Sequence, residues 1–201
     1  MGTASRLRPA ERLVFFSDAV VAIAMTLLVL PPVDSVSDLV REGRPAAEAI
    51  TGNRWQILSF LLSFVVIARQ WLAHHRLFEQ IRSVSTALMW IDLCWLLTVA
   101  VLPFPTELTG AYGTQRFAVL LYIGTVLANT ACLTAMTLVV RGTPGLARDD
   151  AAIDGFWVFS SAGACVALAA AFALAALVPG VGYFSLLLLV VPPQLARVRY
   201  R

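Results

Sequence analysis

Asp18, His74 and Asp92 stand in stretches that are otherwise strongly apolar. Ser17, Thr26, Arg69 and Gln70 interrupt the same kind of stretch. Carboxylates and an imidazole at one depth can relay protons, attract a cation, or satisfy one another. A charge inside a membrane helix costs about 2.5–3.5 kcal/mol on insertion scales unless it is paired or hydrated. These residues therefore mark either a transport path or a buried polar cluster. His74-His75 also raises a metal site, but neighbours on a helix point in different directions and the sequence offers no third convergent ligand. Cys94, Cys132 and Cys165 lie in three separate apolar blocks without a CxxC pair. They read as small hydrophobes rather than as a disulfide or a zinc site. No nucleophile–base pair stands out, so the chain is not expected to be an enzyme.

The elements that hold these residues follow from composition. Of 201 residues, 59% are hydrophobic and 13% charged, whereas an ordinary soluble domain is about a quarter charged. The apolar residues fall in blocks of roughly 20, the length of a helix that crosses the hydrocarbon core. The pattern predicts an all-α membrane protein, one unit over residues 1–201, with six transmembrane helices. The first runs from about Arg12 to Leu30 and is expected to stop at Pro31-Pro32. A polar connection follows, with a short surface helix expected over Asp38–Ala49. Further spans are expected over Arg54–Phe78, Thr86 to Pro103-Phe104-Pro105, Arg116–Val140, Gly155–Val178 and Val181–Leu195. Ala and Gly enrich the fifth span, which suits close helix packing.

All fifteen basic residues are arginine, a bias that fits a GC-rich bacterial genome. The net charge of +3 comes from arginines at helix ends and is no nucleic-acid signature. With the N-terminus inside, ten arginines fall on inside segments (6, 8, 12, 76, 82, 141, 148, 197, 199 and 201) and four outside (41, 44, 54 and 116). The excess predicts that both termini are cytoplasmic. The first apolar stretch imitates a signal peptide, but Ser17-Asp18 interrupts it and the Pro-Pro-Val-Asp exit lacks small residues for cleavage. It is expected to remain as a helix.

At about 100° per residue, Phe16, Ala19, Ile23, Thr26, Leu27 and Leu30 share one face of the first helix, and Asp18 lies roughly 140° from Ile23. The two sets must face different surroundings. The aliphatic stripe can line a pore, or it can face lipid or another helix. A lone membrane threonine commonly bonds to its own backbone one turn back.

The segment Arg12-Leu13-Val14-Phe15-Phe16-Ser17-Asp18 fits an RxxxFSD pattern, continued by Ala22 to Pro31. The similarity resumes at Trp71-Leu72-Ala73-His74-His75-Arg76-Leu77-Phe78 and at Leu102-Pro103-Phe104-Pro105-Thr106. In this order and spacing the segments resemble the transmembrane protein 175 family of potassium channels over about the first half of the chain. The resemblance implies a homotetramer of six-helix subunits with the first helix of each lining a central pore. It places a bulky aliphatic constriction at Ile23, a polar pore layer at Thr26, and pore-lining positions at Leu27 and Leu30. It places a structural polar network on Arg12, Phe16, Ser17, Asp18, Trp71 and His74, although the helical wheel puts Phe16 on the pore stripe. No TVGYG loop is present, so a carbonyl filter of that type is excluded.

The expected function is a potassium-preferring cation channel in a prokaryotic cytoplasmic membrane. Its partners are potassium ions, membrane lipid and three further copies of itself, with no cofactor and no nucleic acid. The alternative is a secondary transporter or proton-coupled carrier that uses Asp18, His74 and Asp92.

Overall fold

The structure, a computed structural model, describes residues 9–113, 115–148 and 155–178. These residues form α1 (Pro9–Leu27), α2 (Leu30–Arg41), α3 (Glu48–Thr51), α4 (Arg54–Glu79), α5 (Thr86–Val101), α6 (Pro103–Tyr112), α7 (Arg116–Gly142) and α8 (Gly155–Leu177). Five stretches are long and apolar enough to cross a membrane: α1 with α2, α4, α5 with α6, α7, and α8. The protein is a multi-pass, all-α membrane protein. The sixth expected span, Val181–Leu195, lies outside the described residues, as do Arg197, Arg199 and Arg201.

Two proline pairs behave differently from expectation. Pro31-Pro32 does not end the first span, because both residues stand in the first turn of α2. Pro103 and Pro105 likewise open α6 rather than terminating the third span. A first-turn residue has no intrahelical use for its N–H, and the fixed φ of proline suits the helix. The chain therefore breaks briefly at Leu28-Val29 and at Leu102, then continues helical. The surface helix expected over Asp38–Ala49 is also absent as such. α2 extends to Arg41, Gly43 adopts φ 66°, and only the short α3 follows. A positive φ is easy for glycine and breaks the helix there.

The core centres on α7, which packs against α5 and α8 and contributes Tyr122, Ile123, Val126, Met136 and Val140 to the buried set. α8 turns Leu168, Ala171 and Ala175 inward, a spacing of one helix face. At Gly124 of α7 an added Cβ would stand 3.3 Å from the Phe172 ring. At Gly110 of α6 it would stand 2.8 Å from Ser59 Oγ and 3.0 Å from Gln56 Cα of α4. Here the absence of a side chain sets how closely two helices approach. A hydroxyl knot reinforces the contact: Thr106 Oγ1 lies 2.8 Å from Ser63 Oγ, which lies 3.2 Å from the Tyr122 hydroxyl.

The turn after α4 and the turn after α7 meet. Arg82 N–H donates to the Leu146 carbonyl at 2.7 Å, and Arg148 N–H donates to the Gln80 carbonyl at 2.9 Å. Ile81 and Ala147 thus pair as a single antiparallel bridge, with Ile81 and Leu146 buried beneath it.

Candidate functional site

α1 packs on α5 and α4, and its period sorts its residues into two sides. Ser17, Val21, Ala24 and Leu28 are buried. Phe16, Ile23, Leu27 and Leu30 retain 53%, 59%, 42% and 48% of their surface, and Thr26 is exposed beside them. The stripe has no cover from the described part of its own subunit. Thr26 Oγ1 donates its proton to the Ile23 carbonyl at 2.8 Å. That bond directs the hydroxyl hydrogen along the helix and leaves the oxygen lone pairs facing outward.

Behind the stripe, the inward side of α1 closes a polar cluster. Ser17 Oγ lies 3.0 Å from Asp92 Oδ2 and 2.9 Å from the Leu13 carbonyl. Its one proton serves one acceptor at a time, and a carboxylate is the stronger of the two. The other Asp92 oxygen, Oδ1, is 2.6 Å from His74 Nε2. Ser17, His74 and Asp92 are all 0% exposed. The His74 ring is sandwiched, with Phe78 stacked at 4.3 Å and Trp95 at 4.2 Å, the latter only 10° from parallel. With its proton on Nε2, His74 donates to Asp92, and Nδ1 has no partner among the described residues. The Trp95 indole N–H donates to Asn129 Oδ1 at 3.1 Å, and Asn129 Nδ2 donates to Thr98 Oγ1 at 2.8 Å. Two sets of bonds, linked by the His74–Trp95 stack, thereby join α1, α4, α5 and α7.

Asp18 is not a member of that set. Its Oδ1 accepts from the Trp71 indole N–H at 2.7 Å, a separate tie between α1 and α4. Pairing of Asp18 with Ser17 or His74 is not seen, because Ser17 turns to the Asp92 side. Arg12 and Phe16 are exposed and join neither tie among the described residues. His75 turns away from His74, with Nε2 3.6 Å from Glu79 and its ring beside Trp71. Among the described residues, no three His, Cys, Asp or Glu side chains converge as metal ligands would.

The Trp71–Asp18 tie sets an expectation. Trp71→Phe keeps an aromatic ring, though a smaller one, and removes the donor, leaving a half-buried carboxylate without it. A loss of about 1–3 kcal/mol is expected. Asp18→Ala should cost a similar amount, and the double variant little more than either single. Thermal unfolding followed by size-exclusion chromatography measures this. Fully additive losses would mean that the two side chains do not act on each other.

A model of the family "Endosomal/lysosomal potassium channel TMEM175" matches residues 12–103. A protein of Chamaesiphon minutus named as a potassium channel is 30% identical over 189 residues, covering 81% of this chain and 93% of that protein. The chain belongs to the TMEM175 family. A Streptomyces collinus protein, also named as a potassium channel, is 34% identical over 107 residues, and the match spans 53% of this chain and 50% of the relative. The chain thus spans about half the length of that relative. Among solved structures, the crystal structure titled as a lysosomal potassium-selective channel TMEM175 homolog from Chamaesiphon minutus superposes with a TM-score of 0.68. That match has 24% identity and covers 94% of this chain and 97% of the other, a likeness of fold.

The TMEM175 family match ends at residue 103, before the residues that complete the cluster. Asn129 was not singled out from the sequence, although a lone amide in an apolar block needs partners to be buried. Trp95 was passed over for a different reason: an aromatic residue in a membrane helix ordinarily needs no special explanation. Asp92 entered the sequence reading only as a member of the alternative relay, yet it is the acceptor at the centre of the cluster.

Proposed function

We propose that the chain is a subunit of a homotetrameric, potassium-preferring cation channel in a prokaryotic cytoplasmic membrane, with both termini cytoplasmic. The observation that carries this reading is the two-sidedness of α1. Its ionisable and hydroxyl groups at 17 and 18 are consumed inside the subunit, while Ile23, Thr26, Leu27 and Leu30 stand uncovered on the other side. Four such stripes around an axis make an aliphatic conduit with one hydroxyl layer. Membership of the TMEM175 family, and the printed names of the Chamaesiphon and Streptomyces relatives, support potassium as the permeant ion.

The carrier reading fits the geometry less well. A relay needs water on each side of its titrating groups in turn. Ser17, His74 and Asp92 are sealed between helices, and aromatic rings plate both faces of the imidazole. The cluster is built as a fastening between helices.

A pore lined by one helix per chain requires closed symmetry, and four copies about one axis are expected. Native mass spectrometry in mild detergent should give a tetramer. Monomers and dimers alone would count strongly against the channel. Liposomes loaded with potassium should then lose it down its gradient with no coupled substrate. A flux that demands an opposing solute would favour the carrier.

Thr26 supplies the conduit's one hydroxyl, with its lone pairs turned outward. Thr26→Val conserves shape and removes the oxygen. Potassium conductance or potassium-over-sodium preference should fall, with assembly unchanged. Wild-type values for both would reduce Thr26 to a packing residue that bonds to its own helix.

A further inference from the structure

Away from the α1 stripe, α4, α7 and α8 enclose a cleft of about 490 Å³. Val66, Val126, Leu133, Ala164 and Leu168 supply an apolar floor, and two cations, Arg69 and Arg76, stand at its wall. They are seven residues apart on α4, so they share a face two turns apart, separated by about 10 Å. Arg76 lies one turn from the end of α4, and Arg69 lies about 15 Å back from that end. Neither arginine has an ion pair or hydrogen bond to another described residue. The near neighbours that could have served are already engaged. Gln70 Nε2 donates to Thr130 Oγ1 at 2.7 Å, Thr134 Oγ1 and Ser161 Oγ share a bond at 3.0 Å, and Glu79 lies beside His75.

Arg69, set back along a membrane helix with no partner among the described residues, is costly without an anion. An apolar cleft below the two arginines suits a hydrocarbon chain. We propose that this cleft is a binding site for an anionic glycerophospholipid. One acyl chain lies against the Val126–Leu133–Leu168 floor, and the phosphate falls within reach of Arg69 and Arg76. Guanidinium pairs with phosphate through two parallel N–H donors, and a choline headgroup would bring its own cation beside the two arginines, so a net-anionic lipid is preferred. The cleft is lined by α4, α7 and α8 and by no residue of α1 or α5, so the site does not depend on the channel reading.

The test is lipid retention by the full-length protein. Detergent-purified protein is mixed with palmitoyl-oleoyl phosphatidylglycerol or the matching phosphatidylcholine and examined by native mass spectrometry. The glycerol lipid should be held about tenfold more tightly, at one per subunit, and should raise the unfolding temperature. Arg69→Gln with Arg76→Gln should bring its retention down to the choline level. If that variant does not fold, Ser161→Trp fills the cleft with the arginines intact and should also displace the lipid. Inorganic phosphate alone should neither bind nor compete at equal concentration. Equal retention of both lipids overturns the proposal, as does undiminished glycerol-lipid binding in the folded double variant. Competition by inorganic phosphate would also overturn it, since the site would then hold a free anion. Flux of the wild-type protein is measured separately, and its failure leaves these lipid readouts standing.

Discussion

Ile23→Asn and Ile23→Ala should both raise potassium flux through the proposed tetramer reconstituted in liposomes, with Asn giving the larger increase and Ile23→Leu a small change. Four isoleucines converging on an axis make an apolar neck with nothing to replace an ion's hydration. Such a neck blocks ions by dewetting even where it is not sterically closed. Asparagine wets it and alanine widens it. A barrier lowered by about 1.4 kcal/mol already gives tenfold in rate, so changes of that order are expected. Ile23 is exposed on the single subunit, and the rival account is that it faces lipid. On that account an amide at this depth impairs insertion and yields no current. Unchanged or reduced flux in both variants, with tetramers intact by native mass spectrometry, would remove Ile23 from the pore.

The second large effect belongs to Asp92. Asp92→Ala removes the acceptor shared by Ser17 and His74; Ser17 keeps the Leu13 carbonyl, while the fully buried His74 Nε2–H is left bare on α4. His74→Ala strands the carboxylate and empties the slot between Phe78 and Trp95. Leaving a buried hydrogen-bonding group without its partner costs about 1–3 kcal/mol, and more for a charged one, a sizeable part of the 5–15 kcal/mol that holds a typical domain. Each single variant should lose most of its monodisperse tetramer. The double replacement His74→Leu with Asp92→Leu leaves no buried charge, and it should recover yield relative to either single. Yield and melting temperature are the readouts, with flux per tetramer measured on whatever assembles. If Asp92→Ala assembles at wild-type yield but loses transport, the cluster lies in the ion path and the carrier reading takes precedence.

How much of this was legible beforehand depended on the range of the interaction. The two sides of α1 follow from a 100° step, so the separation of Asp18 from Ile23 and Thr26 is local arithmetic. The partners of Ser17 and Asp18 are not local. Ser17 meets Asp92 across 75 positions and Asp18 meets Trp71 across 53. One sequence does not encode which members of the expected polar network face one another, so the pairing of Asp18 with Trp71, rather than with Arg12, Ser17 or His74, was not legible. The prolines failed differently. Pro31-Pro32 and Pro103-Phe104-Pro105 are compatible with both the end of one helix and the first turn of the next. Burial accompanies the continuation in α6, where Thr106 and Thr109 are buried, but not in α2, which has no buried residue. The cleft beside Arg69 was likewise invisible, because Arg69 read as a lone charge until α8 was placed across from it.

The bridge between Ile81 and Ala147 has a mechanical consequence. It pins the C-terminal ends of α4 and α7 to each other through backbone bonds, so the two helices share a fixed pivot at that face. At the other end of α7, the described backbone of residues 115–118 makes no such tie to α4. A 27-residue helix is about 40 Å long, and a tilt of about 5° about the pivot displaces its far end by about 3.5 Å. A movement of α7 against α4 that spares the bridge is therefore a fan, closed at that face and restrained further along by the Gln70–Thr130 and Ser63–Tyr122 bonds.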